Sequence, residues 1–258
     1  MPPATTRSRT DRRSRPERVA EAIKAWVVEQ RLQPGDRLPS EPELIERFGM
    51  AKSTIREAMR LLEAQGLVRT RTGPGGGSFV HEVSRARAQA LLGNYFYFKD
   101  LTIRDIYQLR RALEPELAAS LAGKLSQDVL ARLEQTLHAY DVPARTLEEE
   151  RAQHVDSLRF HAILAEAAEN ELLGFIIGFM TSVLSDITVT RRLYAPPNQE
   201  LWQRGRDYQR RLLMALREGD AGAARAIMKA HMQTAQALME GQEAEMLRRF
   251  IPEQGSEV

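Results

Sequence analysis

Lys52, Ser53, Thr54 and Arg56 place two cations and two hydroxyls within little more than one helical turn. Lysine and arginine can bond guanine edges or phosphate oxygens. Hydroxyls and the free N–H groups of a helix start donate to a phosphate oxygen. That is chemistry for a polyanion. A second group lies far downstream. His161 and His231 fall mid-helix, where an imidazole can pack, hydrogen-bond or ligate a metal. Arg110 carries a guanidinium suited to a carboxylate, or to an exposed ion pair with Glu114 four residues on. The chain has no Cys, which excludes disulfides, Cys-type zinc fingers and thiol catalysis. No Ser-His-Asp order or nucleophile motif accompanies the histidines, and a catalytic reading needs paired acid and base groups. His81 and His138 belong to no pattern and are expected at the surface.

The elements that must position these groups can be read from periodicity and punctuation. Val19, Ile23, Trp26 and Val27 recur at helical spacing over Arg18 to Gln30, and Pro34-Gly35 ends that segment. Ser40-Glu41-Pro42-Glu43 is a capping box opening a second helix, which Gly49 closes. A third helix runs to about Gln65, with Ser53 or Thr54 as the expected cap and Ile55, Ala58, Met59 and Leu62 facing inward. Two helices joined by a tight turn make a helix-turn-helix, and the second would be the recognition helix. Two short apolar-alternating segments then flank Arg71-Thr72-Gly73-Pro74-Gly75-Gly76, which predicts a β-hairpin. Beyond about residue 85 the pattern is helical throughout, with helices predicted over 102–123, 126–140, 147–168, 170–193, 198–218 and 220–243, and a seventh over 86–98. The fold class is therefore mainly α: an N-terminal winged helix-turn-helix with a small β-hairpin wing, then an all-helical bundle of six or seven helices.

The 258 residues suit two domains. The expected divisions are a disordered basic tail over 1–17, a DNA-binding domain over 18–82, a linker over 83–100, a helical domain over 101–245 and a flexible tail over 246–258. A net charge of +2 hides an asymmetry: residues 1–90 sum to +6 and residues 91–258 to −4. A basic front half fits a polyanionic partner. The run Leu172 to Ile187 is interrupted by Gly, Ser and Asp, so it is expected as a buried core helix and not a membrane span. No charged-then-apolar leader opens the chain, which makes the cytoplasm the default.

Leu38-Pro39-Ser40-Glu41, Ile55-Arg56-Glu57-Ala58, Leu62 to Val68 and Gly75 to Val80 resemble the winged-helix domain of GntR-family bacterial transcription regulators. Leu109 to Pro115, Phe160-His161 through Asn170, and Gly219-Asp220 through His231 resemble that family's FadR-type ligand domain, called FCD. The resemblance implies operator contacts from Glu41, Lys52, Ser53, Thr54 and Arg56, with Gly75, Gly76 and Gly77 at the wing tip. Pro42 stands where many relatives carry a DNA-contacting Arg. Lys52 stands where they often carry Arg, and lysine cannot form the planar fork on guanine.

In metal-binding FCD domains an Asp four residues before the first His joins three His around a divalent cation, which grips a carboxylate effector. By the same resemblance the corresponding positions here are Ser157, His161, Gln209 and His231, with Arg110 at a position that often helps bind the effector. Two imidazoles alone hold a first-row metal weakly, and His154 lies about 10 Å from His161 along the helix. The expectation is a polar, metal-free pocket. A zinc, nickel or manganese ion on His161 and His231 is the alternative. The functional expectation is a homodimeric repressor of double-stranded operator DNA, controlled by a small carboxylate effector. A metal-dependent enzyme and a ligand-independent architectural DNA binder are the rivals.

Overall fold

The computed structural model describes residues 13–99 and 101–250. The chain divides after Ala90 into two compact units.

The first unit contains α1 (Arg15–Glu29), α2 (Glu41–Phe48), α3 (Lys52–Gln65), β1 (Val68–Arg71) and β2 (Gly77–Val80). α1 starts three residues before the apolar pattern does. Ser14 and Glu17 form a reciprocal capping box and a proline occupies the first turn, so capping chemistry sets the boundary and residues 15–17 are helix, not tail. Most of the expected basic tail, residues 1–12, lies outside the described residues. Val19 and Ile23 from α1, Leu44 from α2 and Ile55, Ala58 and Leu62 from α3 meet Leu38 and Val68 in a small core. Gly49 and Gly66 end α2 and α3 in the left-handed conformation. The hairpin pairs antiparallel, with Val68 opposite Val80 and Arg71 opposite Gly77.

α4 (Arg85–Tyr97) straddles the division between the units. The segment expected as a linker therefore carries the seventh helix of the prediction. The second unit continues with α5 (Ile103–Leu121), α6 (Gln127–Ala139), α7 (Leu147–Glu166), α8 (Glu171–Thr190), α9 (Gln199–Glu218) and α10 (Ala221–Phe250). α10 extends past residue 245, so the first residues of the expected flexible tail are helical; residues 251–258 lie outside the described set. α5 packs along α10, and α7 along α8. Gly174 permits the second contact: a Cβ there would lie 2.4 Å from the Ala165 carbonyl oxygen. By length and hydropathy alone α8 could cross a membrane. Ile177, Met180 and Leu184 are buried in the core of the bundle, as expected for this run, where the helix packs against α7 and α5.

Candidate functional site

The start of α3 presents Lys52, Ser53 and Arg56 to solvent, with Thr54 half-buried. The N-cap is Ala51, not Ser53 or Thr54, and no side chain caps the helix. The chain becomes helical two residues before a Ser53 cap would allow, so both hydroxyl residues lie inside the first turn and cannot reach back as caps. The Thr54 amide donates to the Ala51 carbonyl at 2.9 Å, which leaves the Lys52 and Ser53 amides and the two hydroxyls for an outside acceptor. The Glu41 carboxylate reaches across from α2 to Lys52 Nζ at 3.3 Å and Arg56 Nε at 3.6 Å. One acidic group thus gathers both cations. Such exposed pairs contribute only about 0–1 kcal/mol, so their value is positional.

The wing is held by a residue outside every motif. Arg37 Nη2 donates to the Gly76 carbonyl at 2.7 Å. A Cβ on Gly76 would lie 2.5 Å from the Arg71 carbonyl oxygen, and Gly77 has a φ of 146° with Arg37 packed against it. Glycine is therefore required at the tip, where backbone can approach a duplex closely. Arg37, Glu41, Arg56, Arg60, Thr70 and Gly77 share one cleft. The structure thus brings together recognition-helix and wing residues separated in sequence.

In the second unit a cavity with about 60 Å³ of water-accessible space is lined by Arg110, Ser157, His161 and His231. That is room for about five waters, at roughly 10–15 Å³ each. Leu158, Leu184, Trp202, Met232 and Met239 supply apolar wall. A buried polar chain runs behind it. Arg110 Nε donates to Glu114, and both residues are only 1% exposed. The ion pair with Glu114 therefore exists, but it is buried and not on the surface as expected. Glu114 Oε2 lies 2.5 Å from His161 Nδ1. His161 Nε2 lies 3.2 Å from His231 Nε2, and the His231 ring stacks on Tyr208. Gln209 is fully buried. Its oxygen accepts from the Tyr140 hydroxyl, its nitrogen donates to the Ser157 carbonyl at 3.0 Å, and that nitrogen is 3.3 Å from His161 Nε2. It stands in the wall and does not line the open space.

Among the described residues five buried side-chain polar atoms have no hydrogen-bond partner: Trp26 Nε1, Arg206 Nε, and three more on Arg110 (Nη2), Gln153 (Oε1) and Thr188 (Oγ1). The last three residues line this cavity. Buried polar groups are nearly always satisfied, so three unpartnered atoms on residues that line one space mark a place for a polar guest. Gln153 and Thr188 were invisible in sequence, because nothing local distinguishes them from other helical polar residues. Glu150 is 4% exposed and pairs with His154 at 3.4 Å beside the same cavity. Its register on α7 turns it inward. Asn170 caps α8, accepting from the Leu173 amide at 3.0 Å.

Burial alone would raise the Glu114 carboxyl, but Arg110 and His161 beside it outweigh that and hold it at about 2. Burial lowers His161, and burial together with His161 lowers His231 well below its usual 6.5. A neutral His in the fold must be matched against a protonated one in the unfolded chain, so stability falls as pH drops below about 6.5. Glu114 contributes stability above the unfolded carboxylate value that is lost as pH falls toward about 2. Urea unfolding of the chain should therefore weaken in two stages. The buried neutral His161 and His231 account for the first loss, between pH 7.5 and 5.5, and Glu114 for a second loss below pH 4.5. A flat profile from pH 7.5 to 5.5 would contradict the buried neutral imidazoles.

Two family models match. The model described as bacterial regulatory proteins, gntR family, covers residues 15–80, and the FCD domain model covers residues 105–234, half of the chain. The chain is a transcription regulator of the GntR family with an FCD domain. This GntR–FCD regulator is 28% identical to the HTH-type transcriptional regulator LutR of Bacillus subtilis over 81% of its own length and 94% of LutR. It is 28% identical to the Glc operon transcriptional activator of Escherichia coli K12, over 74% of this chain and 76% of that one. Its fold matches the solved structure of Streptococcus agalactiae GntR with a TM-score of 0.56 and 23% identity, covering 86% of this chain and 99% of that chain. Proteins that join these two domains regulate transcription and are not enzymes. The GntR domain implies DNA binding, and the FCD domain implies a small-molecule effector.

Proposed function

We propose that the regulator is a cytoplasmic homodimeric repressor that reads its operator through Lys52, Ser53, Thr54 and Arg56, with Gly75, Gly76 and Gly77 of the wing tip against the adjacent groove. Glu41 acts from α2 by holding the two cations in register. Two such heads would address the half-sites of a palindrome. Its effector is a small organic acid bound in the FCD cavity, with Arg110, Ser157 and His161 in the wall, His231 beside them and Gln209 supporting them from behind. The observation that carries this reading is that three residues lining one cavity each hold a buried polar atom without a hydrogen-bond partner. It also disfavours an architectural DNA binder with no ligand, which has no use for such a space.

The test is operator binding by fluorescence anisotropy at fixed salt, with a panel of short-chain carboxylic and hydroxycarboxylic acids. Salt must be fixed because phosphate contacts make affinity strongly salt-dependent. The expected result is one acid that shifts operator affinity by about 5–150-fold, the range of an allosteric coupling of 1–3 kcal/mol. If every acid that binds leaves operator affinity unchanged, the sensor reading fails. A promoter fusion in a deletion strain reads the sign: repression predicts increased expression, whereas loss of expression would align the regulator with the relative named as an activator.

A further inference from the structure

The family's metal-binding members set a standard against which the buried donors of this chain can be tested. Two imidazole nitrogens 3.2 Å apart suit a shared cation or a shared proton equally, so their spacing alone does not decide. Gln209 decides. The Ser157 carbonyl can only accept, and it lies 3.0 Å from one end of the Gln209 amide. That end is therefore the NH2, and the same nitrogen faces His161 Nε2 at 3.3 Å. An amide nitrogen bearing its protons donates hydrogen bonds and does not ligate a cation. The amide oxygen, which could ligate, is turned away onto the Tyr140 hydroxyl.

The protons on the imidazoles follow. Glu114 is ionised and can only accept from His161 Nδ1, so His161 Nε2 carries the lone pair. That single lone pair is shared, as a three-centre contact, by the Gln209 N–H at 3.3 Å and the His231 Nε2–H at 3.2 Å. At the position four residues before His161, Ser157 offers a neutral hydroxyl in place of a carboxylate. Among the described residues no group of three or more His, Asp or Glu is placed to hold a metal ion. The donor set does not fit a divalent cation, which in stable sites takes three or four protein ligands.

The geometry points to a metal-free FCD site, in which a hydrogen-bonded His161–His231 pair braced by Gln209 occupies the place of the ion, and the guest meets the side chains of Arg110, Thr188 and Gln153 directly. These side chains ask for a guest with both an acceptor, for the guanidinium, and a donor, for the Gln153 oxygen. The inference rests on the cavity being the effector site, but its test uses no effector, so it can fail or succeed apart from that reading.

The experiment is elemental analysis of untagged full-length protein, with zinc added alone as the probe. The expected result is well below one metal ion per chain and no change in melting midpoint on adding one equivalent of zinc. Stoichiometric metal, or a zinc-induced rise that His231→Gln removes, overturns the inference. The double variant Ser157→Asp, Gln209→His should gain stoichiometric zinc and a raised melting midpoint. A folded double variant that still excludes zinc overturns it, because these two positions are held responsible for the exclusion. Nitrogen-15 spectra of the wild-type imidazoles supply a readout that needs no variant. His161 should be the Nδ1–H tautomer and His231 should carry a proton on Nε2. Two rings both protonated only on Nδ1 would be the signature of a ligating pair and would overturn the assignment.

Discussion

Glu114→Ala destabilises the helical unit by about 3–5 kcal/mol, because it strands a buried guanidinium. Arg110 and Glu114 are each 1% exposed, and Glu114 is the shared acceptor for Arg110 Nε and His161 Nδ1. Removing it leaves one full charge and one imidazole N–H without their shared carboxylate partner. Domains are stable by only about 5–15 kcal/mol, so the loss is a large share of the total. Glu114→Gln restores an acceptor but not the charge, and should recover only part. The double variant Arg110→Met, Glu114→Leu should cost less than Glu114→Ala, because no charge is left behind. Urea unfolding at pH 7.5 checks the series. A Glu114→Ala loss below about 1 kcal/mol would mean that the pair is solvated, and the account of the buried chain would fall with it.

The second large effect is on DNA. Lys52→Ala and Arg56→Ala should each weaken operator binding by about 5–150-fold, the range of 1–3 kcal/mol for a lost base contact. If the lost contact is to phosphate, binding should weaken on every sequence and the slope of log affinity against log salt should fall by about 0.9. The two signatures separate base reading from backbone positioning for each residue. Neither variant should unfold, because both side chains are exposed and their pairs with Glu41 are surface pairs. Anisotropy on an operator selected from random sequence, over a salt series, is the measurement. Unchanged affinity for both variants would refute the docking through α3.

Much of the fold was legible, for local reasons. Ser40 and Glu43 at the start of α2, Gly49 and Gly66 at the ends of α2 and α3, and Asn170 before α8 are chemistries that act within a few residues. They set boundaries with little help from the rest of the chain. The misreadings have local causes too. Ser53 and Thr54 look like caps, but Ala51 took the cap position. The Ser14–Glu17 box lies inside an arginine-rich stretch that masks it. The candidate site was legible where the family motifs run, at Lys52 to Arg56 and at His161 and His231. It was not legible at Arg37, Gln153 and Thr188, whose roles depend on partners from other elements.

Sequence alone determined the two-part architecture, the helix-turn-helix, its hairpin and the absence of thiol chemistry, because periodicity, caps, glycines and composition are properties of short stretches. It also showed that Ser157 and Gln209 depart from the metal-binding pattern. Only the tertiary structure decided what that departure means. Burial made Arg110 and Glu114 an internal ion pair, although their spacing is equally that of a surface pair. The Ser157 carbonyl, fifty-two residues away in sequence, oriented the Gln209 amide and so placed N–H groups where a cation would need lone pairs. Which way an amide faces, and which charge loses its water, are set by neighbours in space, and those neighbours exist only after the helices have packed.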